Sequence, residues 1–286
     1  MSCSRLFVLV GDSDIDRWPA DLLPSITTNN NSMDSGPGNN NNSSSNDINY
    51  DSNGNDSPVV HDGLTSQQVY GHSGATLAEI LPVMQTVLEN HEKQILILQK
   101  KDDSHHHHNS LLTVVFCAGE NDIGQNIRLD ETLSSFRTLL DMVVPQQPAP
   151  IPRSTTATTV AGLLQRRHLI VLGPKLEPWL EYDATCRKQY VKLSMAMDRA
   201  CQKHVLPSSS NKSKKDDGHH HHKLTYVNCL TMFCGASGQQ PGATLGGKGI
   251  PEKRYFDHDL LHLSREGYQV WQETVNKILR EEASKI

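Results

Sequence analysis

Five short apolar runs enriched in β-branched residues, at 6–10, 68–70, 113–118, 168–172 and 224–228, alternate along this chain with longer segments of helical spacing. That alternation leaves few architectures open. Strands separated by helix-length crossovers do not pair as hairpins; they lie parallel, and a parallel sheet needs cover on both faces. The pattern predicts an α/β fold of three layers, α/β/α, built on a flavodoxin-like parallel sheet of about five strands. Helices are expected over 76–99, 130–144, 183–204 and 264–283. In the last of these, Tyr268, Trp271, Val275 and Leu279 recur at helical spacing, a stripe suited to the core.

The alternation emerges once four polar tracts are set aside. Residues 27–58 are rich in Asn, Ser, Asp and Gly, 146–159 in Pro and Thr, and 100–110 and 208–222 each carry a run of four histidines. Tracts with so little apolar surface cannot join a core, so they read as disordered loop insertions in a single domain spanning 1–286. A histidine run in such a tract has no fixed ligand geometry, and no metal site is assigned to either. The six cysteines, Cys3, Cys117, Cys186, Cys201, Cys229 and Cys234, are scattered and read as reduced, mostly buried thiols. Cys229 and Cys234 lack the second pair that a zinc site would need.

Charge and hydropathy exclude further classes. A formal net charge of -5, with acidic and basic residues intermixed, gives no basic footprint, so nucleic acid is not an expected partner. No apolar stretch nears the roughly 20 residues that span a bilayer. The first ten residues lead into Gly11-Asp12-Ser13 without a small-residue cleavage site, and read as a buried strand rather than a signal peptide. The expectation is a cytoplasmic protein without integral membrane association.

Open α/β sheets bind ligands at the carboxyl ends of their strands, and polar blocks stand just past the first three. Gly11-Asp12-Ser13 places a hydroxyl there, as a nucleophile or as a helix cap. Gly71-His72-Ser73-Gly74-Ala75-Thr76 offers a glycine whose backbone N–H can face a ligand, or a plain turn. Gly119-Glu120-Asn121-Asp122 offers an amide that can donate to a developing oxyanion, or a turn start. Ahead of the last helix, Asp257-His258-Asp259-Leu260-Leu261-His262 sets an aspartate three residues before a histidine. Such a loop can curl so that the carboxylate meets one imidazole nitrogen while the other faces a serine; a histidine capping the helix is the alternative.

In this order the four blocks resemble the SGNH, or GDSL-like, hydrolase family, through Gly11-Asp12-Ser13, Gly74, Gly119-Glu120-Asn121-Asp122 and Asp259-Leu260-Leu261-His262. The resemblance covers nearly the whole chain apart from the polar tracts. It implies a serine esterase with Ser13 as nucleophile, His262 as base and Asp259 orienting the imidazole. It also implies an oxyanion hole made by the Ser13 and Gly74 backbone N–H groups and the Asn121 side chain. The implied partner is a small-molecule ester or lipid, such as an acetyl, short-chain acyl or lysophospholipid-type ester; no cofactor and no metal are implied. Family spacing favours Asp259 and His262 over the neighbouring Asp257 and His258.

The chain departs from the family pattern at Asp14, where the family name implies leucine. Asp14 and Asp16 are expected to bring two carboxylates near the serine, raising the histidine pKa or disfavouring anionic substrates, with Arg17 offsetting part of that charge. Trp18 reads either as a wall of the acyl pocket or as core. Lys175, Glu177 and Trp179, just past the fourth strand, read as substrate-mouth residues or as a structural turn. Two further activities stay compatible with the fold: acyl transfer to an acceptor hydroxyl, and non-catalytic binding of a ligand or partner. A nucleotide or flavin binder lacks support, because no Gly-rich phosphate loop follows the first strand.

Overall fold

The computed structural model describes residues 4–24, 65–101, 110–145, 165–205, 222–234, 249 and 251–284. Its five strands are β1 (Ser4–Gly11), β2 (Thr65–Gly71), β3 (Ser110–Cys117), β4 (Gln165–Leu172) and β5 (Lys223–Val227). All pair in parallel, in the order β2-β1-β3-β4-β5, which is the expected flavodoxin-like arrangement. The crossovers carry α2 (Leu77–Lys101), α4 (Leu129–Val143) and α5 (Ala184–Val205), and α6 (Arg265–Ala283) closes the chain. Two short helices absent from the sequence reading, α1 (Ser13–Asp16) and α3 (Glu120–Gly124), begin just past β1 and β3.

Strand alternation explains the layering. Leu6, Val8 and Val10 of β1 share a face with Leu112, Val114 and Phe116 of β3, and pack against Ile80 and Met84 of α2, Phe136 and Leu140 of α4, and Met197 of α5. Residues of the other parity, Phe7, Leu9, Val115, Ile170 and Leu172, meet Ile15 of α1 and Trp271, Val275 and Leu279 of α6. Both parities must be apolar in a sheet covered on both faces, which is why its strands read as unbroken apolar runs. Trp18 belongs to this second cluster. Its ring lies 5.5 Å from that of Trp271 and 5.6 Å from that of Tyr268, and its indole N–H donates to the Leu22 carbonyl at 2.9 Å. Of its two sequence readings, the structure gives core.

The helix starts have local causes. Thr76 and Glu79 form a reciprocal capping box at the head of α2, with the Glu79 carboxylate accepting from the Thr76 N–H at 2.9 Å and the Thr76 hydroxyl from the Glu79 N–H at 3.4 Å. Ser264 caps α6 by accepting from the Gly267 N–H at 3.3 Å. The expected insertions at 27–58 and 146–159 lie outside the described residues, as do 102–109 and 208–221 of the other two. The described cysteines, Cys117, Cys186, Cys201, Cys229 and Cys234, are free thiols, and all but Cys186 are buried. Among the described residues, no helix is long and apolar enough to cross a membrane.

Two buried histidines couple this fold to pH. His91 on α2 and His168 on β4 both sit in the interior, and burial lowers each to about 4, with the charges of Arg167 and Lys223 respectively acting the same way. The unfolded chain takes up these protons near pH 6.5 while the folded chain resists until about pH 4, so stability falls as pH drops through that window and levels off below it. Each group accounts for a loss on the order of 3 kcal/mol. Urea midpoints measured between pH 7 and 4 should fall steadily, and His91→Met should flatten part of that slope; a midpoint independent of pH across this range contradicts the account.

Candidate active site

The three strand ends that carry the polar blocks finish level with one another. Gly11 at the end of β1 stands opposite Gly71 of β2 on one side and Cys117 of β3 on the other. Two further backbone bonds continue the pairing past the strands: the Asp12 N–H donates to the Cys117 carbonyl at 3.1 Å, and the His72 N–H to the Gly11 carbonyl at 3.0 Å. Ser13, Gly74 and Asn121 therefore stand on adjacent turns along one edge of the sheet.

Ser13 is the first residue of α1, and it does not cap that helix. Asp12 does, its carboxylate accepting from the Asp14 N–H at 3.2 Å. The Ser13 hydroxyl is thus not committed to the helix start, and its N–H, at the first helical position, has no partner within the helix. Gly74 has a φ of +77°, in the left-handed region, with open space where a side chain would stand. The surrounding loop is anchored from the β3 side. The Gln125 amide donates to the Gly74 carbonyl at 3.1 Å, and the Asp122 carboxylate accepts from the Leu77 N–H at 2.8 Å. Asn121 spends one amide hydrogen on the Ala75 carbonyl at 3.1 Å, which fixes the plane of the amide and leaves its second hydrogen to point elsewhere.

The loop before α6 holds the other half of the set. His262 Nδ1 lies 2.6 Å from Asp259 Oδ2, and the second carboxylate oxygen accepts from the Leu261 and His262 N–H groups at 2.9 and 3.0 Å. This curl needs Leu260 at a φ of +58°, a left-handed conformation that costs a leucine about 1 kcal/mol. Burial would raise the Asp259 pKa, but the His262 ring and the two N–H groups overcome it and hold the carboxyl well below its usual range. A carboxylate can only accept, so Nδ1 carries a hydrogen, and in a ring with that single hydrogen Nε2 is the base. His262 is no helix cap, since Ser264 fills that place.

Two contacts tie this loop and α6 back to the serine turn. Arg17 Nη1, at the end of α1, stands 3.6 Å from Asp259 Oδ2, and the Tyr268 hydroxyl donates to the Asp14 carbonyl at 2.9 Å. Among the described residues, no hydrogen bond joins the Ser13 hydroxyl to the His262 ring. The second histidine pair also forms, with His258 Nδ1 2.9 Å from Asp257 Oδ1, but His258 is 88% exposed where the His262 side chain is 11% exposed. A base that must work shielded from water is better served by the buried ring.

Sequence expectations for the surrounding charges need correction. Asp14 does not face the serine's solvent side as a loose carboxylate: it is buried and bonded to Lys175 Nζ at 2.6 Å. Asp16, by contrast, is exposed and accepts from the Ser73 hydroxyl at 2.9 Å, tying α1 to the Gly74 loop. Lys175 and Glu177 do not line a substrate mouth either; they are 1% and 0% exposed and belong to the interior. Trp179 donates its indole N–H to Glu177. For Lys175 and Glu177, of the two readings, burial favours the structural turn, while Trp179 is partly exposed.

The Asp12, Asp14 and Cys117 ligand atoms lie within 4.8 Å of one another, a spacing that suits a metal ion. An ammonium already serves one of these carboxylates, and burial, followed by the charge of Asp12, pushes the Cys117 thiol well above its usual range. That disfavours the thiolate a metal requires.

A scan of the sequence against protein-family models gave no match, and a search of curated proteins gave none. Several solved structures similar to this chain are esterases or lipolytic proteins. The lipase/acylhydrolase from Enterococcus faecalis is 13% identical, with 97% of this chain and 96% of that one covered and a TM-score of 0.48. A carbohydrate esterase family 3 protein from Talaromyces cellulolyticus is 14% identical, covering 98% and 99% with a TM-score of 0.47. A member of the lipolytic G-D-S-L family from Veillonella parvula is 9% identical, covering 96% and 98% with a TM-score of 0.46.

Proposed function

We propose that this chain hydrolyses carboxylic esters through an acyl-enzyme formed on Ser13. The observation that carries the reading is the Asp259–His262 bond of 2.6 Å, made on a loop whose aspartate also meets Arg17 at the end of the helix that Ser13 begins. Ser13 Oγ attacks the ester carbonyl while His262 Nε2 takes its proton, and Asp259 stabilises the imidazolium that results. The oxyanion accepts from the Ser13 and Gly74 N–H groups and from the remaining Asn121 amide hydrogen. Collapse expels the alcohol, which takes the proton from His262. Water then repeats the attack on the acyl-enzyme, giving the carboxylic acid and returning the proton to Ser13 Oγ. Direct contact between Ser13 and His262 is expected to form on substrate binding, since catalytic hydrogen bonds are often loose in the unliganded enzyme.

Small esters, with acetyl or short acyl groups on an alcohol or sugar and lysophospholipid-type lipids as the range to test, are the substrate class of this reading. A fluorophosphonate probe reports the nucleophile directly, because its phosphorus is attacked far faster by an activated serine hydroxyl than by an ordinary one. Peptide mapping should find the adduct on Ser13 and turnover of p-nitrophenyl esters should stop as it forms. An adduct on another residue moves the nucleophile; no adduct, together with no ester turnover, leaves the fold as a binding scaffold.

A further inference from the structure

Beneath the proposed site lies a buried ionic cluster that the reaction itself does not use. Lys175 Nζ stands 2.6 Å from Asp14 Oδ2, 2.7 Å from Glu120 Oε2 and 3.2 Å from Glu177 Oε1. An ammonium has three hydrogens to donate, so all are committed. The Lys175 backbone N–H also donates to the other Glu120 oxygen, at 2.7 Å. Glu177 is held in turn by Trp179 and by the Tyr190 hydroxyl at 3.4 Å.

The partners of Lys175 are specific in sequence. Asp14 follows Ser13, and Glu120 precedes Asn121. One ammonium, delivered from the end of β4, therefore grips both the turn that carries the nucleophile and the turn that carries the oxyanion amide. We infer that Lys175 is a positioning residue for the proposed esterase, fixing the separation of Ser13 from Asn121 by clamping Asp14 to Glu120. The inference rests on the esterase reading. A side chain this deep is an expensive way to join two turns, since burying charge costs several kcal/mol per ion unless the partners are close and complete. A core of this fold needs no such group for packing, and apolar residues would fill the volume.

The surrounding charges fit a clamp held in one state. Four carboxylates, Asp12, Asp14, Glu120 and Glu177, stand around the single ammonium. Burial pushes Asp12 and Glu177 well above the usual carboxylate range, against the opposing pull of the Lys175 charge. Burial also opposes the Lys175 charge, but Asp14, Glu120 and Glu177 outweigh it and keep the ammonium protonated.

The test is Lys175→Met, which keeps the length and volume of the side chain and removes its charge. With p-nitrophenyl acetate, kcat should fall about 10²-fold, the scale of a small misplacement of reacting groups, while KM moves less than about threefold. The inhibition constant for a trifluoromethyl ketone, which forms a tetrahedral adduct on the serine, should rise by the same factor as kcat/KM falls. A merely structural role would reduce the folded fraction, and so kcat, without moving that constant. If Lys175→Met yields no folded protein, Glu120→Gln carries the same test with an expected effect of about tenfold. An unchanged inhibition constant in a folded variant overturns the inference while the esterase reading stands. A wild type inert to both ester and fluorophosphonate overturns the two together.

Discussion

Replacing Ser13 with alanine is expected to lower kcat for p-nitrophenyl esters by about 10⁴- to 10⁶-fold, with the melting temperature nearly unchanged. The two halves of that expectation come from different observations. The catalytic half follows from the hydroxyl being the only group at this edge that the reading asks to form a covalent bond. The stability half follows from Asp12, rather than Ser13, capping α1, so that the substitution removes no cap bond. A residual rate above the uncatalysed one should survive, because the residue 13 N–H, Gly74 and Asn121 still receive the oxyanion when water attacks directly. p-Nitrophenol release and thermal unfolding on the same preparation measure both halves. A variant that keeps a tenth of the activity, or loses its activity only through unfolding, removes Ser13 as nucleophile.

Much of the fold was legible because a doubly covered parallel sheet leaves its mark in plain apolar runs. The strands of β1, β3 and β4 bury both parities, so composition alone exposes them. β2 was read only at 68–70, whereas it spans Thr65–Gly71, because the polar Thr65-Ser66-Gln67 stretch masks the start of an edge strand. The site was legible where a block of sequence supplies its own geometry: Asp259 and His262 are three residues apart and meet within one turn. What was not legible is the support. No local pattern announces that Leu260 takes a positive φ, that Gln125 holds the Gly74 carbonyl, or that Tyr268 reaches back to the Asp14 carbonyl. The two readings left open for the segment past β4 have the same origin. A mouth role for Lys175 and Glu177 stood beside the structural turn because charged groups past a strand end usually face water; only partners brought from 55 and 161 residues away make the burial of Lys175 tolerable. A lysine flanked by a glutamate two residues on, just past a strand, was the one signal available, and it left both the mouth and the turn open.

His262→Ala is expected to cost as much as Ser13→Ala, and the double variant no more than either alone. The two groups perform a single step, since an unassisted serine hydroxyl is a weak nucleophile and a base without a nucleophile has nothing to deprotonate. Simple additivity would instead multiply the two losses. Asp259→Asn should lower kcat by about 10⁴-fold, no more than the loss at Ser13 or His262, because an amide can keep the ring near its place but favours the wrong tautomer and does not stabilise the imidazolium. His258→Ala decides which pair is used. Its ring is 88% exposed and bonded to Asp257, so its loss should change kcat/KM by less than about twofold. Steady-state kinetics on the four single variants and the double separate the possibilities. Equal losses at His262 and His258 would mean that neither histidine alone is the base, and a loss at His258 only would transfer the role to the exposed pair. A double variant far slower than either single one would mean that Ser13 and His262 act in different steps, and the acyl-enzyme sequence would have to be redrawn around that fact.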